Sequence, residues 1–143
     1  MSEPHLKFSG TKTVYGSGAT RDKRIGKGRF DLISPLALRR LALIYEGGAI
    51  NHGARNWAKG IPIGDCLCSA IRHINQNLEG LRDEDHLAQA AWNLFAAMHY
   101  ETLIERNRLS QELDNRPNML AANKNNDIFQ SAAAGIPSGG KPG

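Results

Sequence analysis

A chain of 143 residues, 41% hydrophobic and 22% charged, is sized for one globular domain with a moderate core. No apolar run approaches the ~20 residues of a membrane span, and MSEPHLKFSG lacks the apolar stretch of a secretory signal, so a cytoplasmic protein with no membrane association is expected. The net charge of +4 suits a phosphate-bearing partner, while Cys66 and Cys68 are too close for an easy disulfide and too few for a cysteine-based zinc site.

Residues 1–30 are polar, glycine-rich and aperiodic, and they hold Lys7, Lys12, Arg21, Lys23, Arg24, Lys27 and Arg29 against only Glu3 and Asp22. They read as a basic arm, either simply solvated or placed to meet phosphates. Ser34-Pro35 then opens a helix, serine as the cap and proline at the first position, where its missing N–H would have no partner. Leu38, Leu41, Ala42, Tyr45 and Ala49 give that helix one apolar face, with Glu46 beside it. Gly47-Gly48 weakens it by roughly 1 kcal/mol per glycine, which points to a close approach or an early end.

A loop over residues 53–60 leads to a second helix over 63–78, with Leu67, Ile71, Ile74 and Leu78 as its stripe and Cys66, Ala70, His73 and Asn77 on the adjoining line. A third helix starts at the cap Asp83, with Glu84 and Asp85 in its first turn, and runs to about 109 or 113. Its stripe is Leu87, Ala90, Ala91, Leu94, Ala97, Met98 and Ile104. Beyond Pro117 the composition turns Asn-, Ala- and Gly-rich. The expected architecture is all-α: a small bundle of three to four helices over 31–113, an arm over 1–30 and a flexible tail over 114–143. Faces this mixed suit completion by a second subunit.

Glu46, His73, His86 and Asn93 fall on or beside core faces, and Asp83, Glu84 and Asp85 cluster at one helix start. Oxygen ligands facing a basic loop suit a magnesium-dependent phosphate enzyme. Each also has a structural reading: an edge carboxylate, a hydrogen-bonded histidine, a helix cap. Trp57 and Trp92 read first as packing anchors and second as platforms for a base.

Five blocks in order add a resemblance: GKGRFDL at 26–32, YEGGA at 45–49, GARNWAKGIP at 53–62, RH at 72–73 and HLAQAAWN at 86–93. Residues 19–100 thereby resemble the phage and prophage family of dATP/dGTP diphosphohydrolase N-terminal domains. The resemblance implies a fold related to MazG-type pyrophosphohydrolases, mostly oligomers that split a nucleoside triphosphate into monophosphate and pyrophosphate with Mg²⁺ held by acidic side chains. It implies a purine deoxynucleoside triphosphate substrate, Mg²⁺ or Mn²⁺ as cofactor, a homo-oligomer, and work in the host cytoplasm on the nucleotide pool. By this resemblance Glu46, His73 and His86 are catalytic candidates, and Glu46 and Asp85 hold the metal. Lys27, Arg29, Asp31, Arg55, Asn56, Trp57, Lys59, Arg72 and Asn93 contact substrate. The four-carboxylate pattern is incomplete, since Ala49 and Ala90 stand where glutamates are expected. The competing expectation is a non-catalytic nucleotide- or nucleic-acid-binding phage accessory protein of the same fold; a helical adaptor for a host protein is a third.

Overall fold

Where a computed structural model describes the chain, residues 10–119, three long helices carry the fold. Residues 1–9 of the expected arm and 120–143 of the expected tail lie outside the described residues. The chain divides into two compact units, Met1–Leu38 and Arg39–Gly143. No helix among the described residues is long and apolar enough to cross a membrane.

In the first unit, β1 (Lys12–Val14) and β2 (Thr20–Asp22) pair antiparallel, with Lys12 opposite Asp22 and Val14 opposite Thr20. Gly18, at φ 85°, closes the turn and donates its N–H to the Tyr15 carbonyl at 2.8 Å. Strands of three residues are too short for alternation to register, which is why this stretch reads as aperiodic. A 3-10 turn, Phe30–Leu32, precedes Ser34, whose Oγ accepts the Ala37 N–H at 3.2 Å and starts α1 (Pro35–His52). The helix runs through Gly47-Gly48 rather than ending there.

In the second unit, α2 (Ile63–Leu78) and α3 (His86–Glu105) form the tightly packed pair. They run antiparallel: His73 meets His86 at one end, while Ile63 and Ile104 share a cluster at the other. Asp85, not Asp83, caps α3 by accepting the Ala88 N–H at 3.1 Å. The helix stops at Glu105, short of 109, because Asn107 turns to φ 54° and the Arg108 N–H closes on the Leu103 carbonyl at 2.8 Å.

The buried faces are shifted from the leucine stripes. On α2 the buried line is Ile63, Cys66, Ala70 and His73, while Ile71, Ile74 and Leu78 stay exposed. On α3 the buried residues include Ala88, Ala90, Asn93, Ala96, Ala97, Tyr100 and Ile104; Leu87, Leu94 and Met98 are exposed. Cysteine and alanine let the two helices approach closely, and short side chains at the contact exclude the longer ones from it. Burial holds the Cys66 thiol in its neutral form by raising its pKa.

The core cluster of Ile63, Cys66, Ala96, Ala97, Tyr100 and Ile104 is extended by Trp57, Ile61 and Leu113. A 3-10 turn, Gln111–Leu113, brings the chain back to α2. There the Gly64 N–H donates to Asn115 Oδ1 at 2.7 Å, so Asn115 caps a helix whose own cap position is Pro62 and has no side-chain donor or acceptor. Arg116 then bonds Asp114 and Glu101. These contacts order the beginning of the segment expected to be flexible from 114.

Tyr100 has no exposed surface, and its hydroxyl donates to the Trp57 carbonyl at 2.5 Å. Burial, with a smaller contribution from Cys66, raises its pKa from 10.0 to about 12. A folded-state pKa raised in this way contributes stability that is complete below pH 10 and lost as pH rises toward 12. Tyr100→Phe should remove that alkaline loss and lower stability at neutral pH by about 1–2 kcal/mol, since it leaves the Trp57 carbonyl without its donor. Urea unfolding of both proteins between pH 7 and 11.5 checks both effects.

Candidate functional site

The turn between α1 and α2 owes its shape to the backbone. α1 ends because Gly53 adopts φ 93° and donates its N–H to the Ala49 carbonyl at 3.0 Å. Arg55 follows at φ 60°, a left-handed conformation that costs a residue with a side chain about 1–2 kcal/mol. Asn56–Lys59 makes one 3-10 turn, and Gly60 closes it at φ 106°. A Cβ at position 60 would lie 2.6 Å from Leu113 Cδ1, so Leu113 would have to shift, and the positive φ itself favours glycine there.

This turn and two helices enclose a cleft of about 230 Å³. Tyr45, Gly48, Ala49 and His52 line it from α1, at the i, i+3, i+4, i+7 spacing of one helix face. Arg55, Asn56 and Trp57 line it from the turn, and Trp92 from α3. Tyr45 meets Trp57 edge-on at 5.6 Å and Trp92 at 6.1 Å; Trp57 meets His99 at 4.9 Å. Pockets for whole small molecules run to about 300–1,000 Å³, so this cleft seats one flat ring system and leaves charged groups at its rim.

A second polar group lies where the end of α2 meets the start of α3. His73 Nδ1 and His86 Nδ1 are 3.2 Å apart, and Glu84 Oε1 is 3.5 Å from the first and 3.4 Å from the second. His86 Nε2 bonds Asp83 Oδ1 at 2.9 Å. That bond, with backbone hydrogen bonds, holds the Asp83 carboxyl below its usual range, so Asp83 only accepts. The Nε2 contact orients the His86 ring so that its Nδ1 faces His73 and Glu84. Burial lowers the His73 pKa; Glu84 opposes this shift, while Arg72 and His86 add to it.

The expected site residues divide between these places. Arg55, Asn56 and Trp57 line the cleft, and His73 and His86 form the polar cluster. Lys59 is exposed at the end of the turn, and Arg72 is exposed on α2. Glu46 is exposed on α1, about 100° around the helix from Tyr45 and off the cleft-lining face. Asn93 is buried, and its Nδ2 donates to the Gln89 carbonyl at 2.9 Å. Asp85 is occupied by a two-point bond from Arg40 at 2.6 and 2.7 Å, besides capping α3. Glu46 and Asp85 are thus outside the one group of histidines and carboxylates that converges among the described residues. Lys27, Arg29 and Asp31 belong to the first unit, where Asp31 holds Arg29 at 2.7 and 2.8 Å. From the sequence, His52 has no assigned role, and Glu84 stands only as one of three acids at a helix start. His52 is signalled by its i+7 spacing from Tyr45, and Glu84 was absorbed into the capping explanation of an acidic run.

A family model described as dATP/dGTP diphosphohydrolase, N-terminal, matches residues 17–109. The match covers more than half of the chain, and the chain belongs to that family. No curated protein and no solved structure matches it significantly.

Arg40 lowers the Asp85 pKa from 3.8 to about 2, chiefly through their hydrogen bonds. The resulting stability is complete above about pH 4 and lost as pH falls toward 2. Arg40 is half exposed, so Arg40→Met should lower stability at pH 6 by only about 0.5–1 kcal/mol. The difference from the parent should vanish near pH 2, as read by denaturant unfolding across that range.

Proposed function

We propose that this member of the dATP/dGTP diphosphohydrolase N-terminal family hydrolyses a purine deoxynucleoside triphosphate to the monophosphate and pyrophosphate. In the phage setting that the family resemblance implies, this edits the nucleotide pool. The reading is carried by the aromatic cleft, which lies within the family-matched residues and has a strained arginine at its rim.

The base enters between Tyr45, Trp57 and Trp92, where π faces and edges are available. The Asn56 amide pairs with the base edge. Arg55 forks to two phosphate oxygens, and Lys59, farther along the turn, adds a point charge. A water attacks the α-phosphorus, the α–β anhydride bond breaks, and pyrophosphate leaves with the bonding electrons. His52, which lines the cleft, is the group at hand to accept the water's proton, and Glu46→Gln, a change off the cleft-lining face, is the comparison for His52→Gln. The one converging group of three or more ligating side chains among the described residues includes neither Glu46 nor Asp85, so in this reading Mg²⁺ or Mn²⁺ enters as the counter-ion of the triphosphate. Bound to it, the ion neutralises phosphate charge. A second reading, a nucleotide-binding module without turnover, is favoured by the exposure of Glu46 away from the cleft face.

Each deoxynucleotide is incubated with the protein, with and without Mg²⁺, and the products are separated by ion exchange. Monophosphate and pyrophosphate from one or two purine substrates, abolished by EDTA, support the enzyme; binding without products supports the module. Gly48 supplies a sharper test of the cleft itself. A Cβ at Gly47 or Gly48 meets nothing within 4 Å, and only Gly48 lines this cleft. Both alanine variants should gain up to about 1 kcal/mol of helix stability, but only Gly48→Ala should weaken nucleotide binding, by tenfold or more. Equal affinities in both would remove the cleft from the proposal.

The homo-oligomer is part of the same proposal. Leu94, Phe95 and Met98 are exposed on α3 beside the half-buried Leu67, an apolar surface that a second copy would cover. Sedimentation velocity should show an assembly larger than 15.6 kDa that Phe95→Glu reduces to monomers.

A further inference from the structure

We infer that His73 Nδ1, His86 Nδ1 and Glu84 Oε1 form a three-ligand site for a tetrahedral transition-metal ion of the zinc type, with Asp83 as the carboxylate that orients His86. The distances carry the assignment. The three atoms make a nearly equilateral triangle with edges of 3.2, 3.4 and 3.5 Å. A tetrahedral ion bonded at about 2.0–2.1 Å requires about 3.3–3.4 Å between its ligand atoms. An octahedral Mg²⁺ at similar bond lengths requires about 2.8–3.0 Å between neighbouring ligands, and it prefers oxygen.

Hydrogen bonding accounts for only part of this arrangement. One proton shared between the two Nδ1 atoms explains the 3.2 Å contact. It leaves Glu84 Oε1 at 3.4 and 3.5 Å from both rings, beyond the range of about 2.7–3.2 Å for a good N–H···O bond. An oxygen aimed between two ring nitrogens, within charge contact of both yet well hydrogen-bonded to neither, is placed as a ligand would be. Two imidazoles and one carboxylate supply nitrogen and oxygen donors and one negative charge, which suits a borderline divalent ion rather than a hard one. His73 and His86 are 8% and 1% exposed, so the donors are held in place. The His86–Asp83 bond reproduces the carboxylate–histidine pairing that fixes a metal-ligating ring. Glu84, with 42% of its side chain exposed, is the donor of the three that solvent reaches.

The assignment stands on donor geometry and holds whether or not the chain cleaves a nucleotide, so its test reads metal rather than products. Protein stripped with a chelator is titrated with Co²⁺ and with Zn²⁺, in the presence of excess Mg²⁺. The expected result is the intense visible spectrum of tetrahedral Co²⁺ and one Zn²⁺ retained per chain after gel filtration. Glu84→Gln, a change at an exposed side chain, should weaken Zn²⁺ binding at least tenfold with the helical circular dichroism unchanged. Asp83→Asn should weaken it roughly 10–100-fold while the Co²⁺ spectrum persists at saturation. His86→Gln should abolish binding; if that buried substitution unfolds the chain, the two exposed variants decide alone. Absence of a Co²⁺ spectrum from folded protein, or an affinity that Glu84→Gln leaves unchanged, overturns the site.

Discussion

The hydrogen bond from Tyr100 to the Trp57 carbonyl joins the turn between α1 and α2 to the most buried helix of the second unit. Everything at the cleft follows from where that carbonyl is held. Its position sets the Trp57 ring against Tyr45 on one side and His99 on the other. It also fixes the turn in which Arg55 is held left-handed and Gly60 lies against Leu113. A polar tether is effective here because the phenol is wholly buried. In a low-dielectric surrounding an unmade bond costs more than the bond itself contributes, so the alternative positions of the turn are penalised.

The cleft and the polar cluster share α3. His86 opens that helix and Trp92 lies six residues along it, a rise of about 9 Å. The aromatic wall and the paired histidines are therefore two stations on one rigid rod. Asp85, between the acids of the cluster and the helix it caps, ties the same end of α3 to α1 through Arg40. The acidic run at 83–85 thus has three separate tasks: Asp83 orients a histidine, Glu84 faces both rings, and Asp85 caps and bridges.

Much of the fold is legible in the sequence because its helix boundaries are made by local chemistry. Ser34-Pro35 starts α1, and Ile63 to Leu78 bound α2. The buried faces were not legible. Hydrophobic periodicity follows the largest side chains, and here the packing follows the smallest: Cys66, Ala70, Ala88 and Ala96 are buried while Ile71 and Leu94 are not. Gly47-Gly48 invited an early helix end, yet among the described residues no other backbone approaches either glycine. The turn at 53–62 announced itself by composition, but much of that composition serves conformation, with Gly53, Gly60 and the Trp57 carbonyl all in structural roles. The histidine cluster was half visible. His73 and His86 lay on core edges, but nothing in the spacing distinguished Glu84 from its two acidic neighbours.

The unequal attachment of the helices has a dynamic consequence. α2 and α3 bury their contact along most of their length, whereas the part of α1 in the second unit buries only Leu41 fully and is otherwise held by Arg40 and the Tyr45 ring. Stability is not uniform in such an arrangement, and the element with least buried surface opens first. α1 forms one whole wall of the cleft, so its backbone amides should exchange with solvent ahead of those in α2 and α3. Local opening of that wall, rather than global unfolding, then becomes the route by which a flat ring enters and leaves.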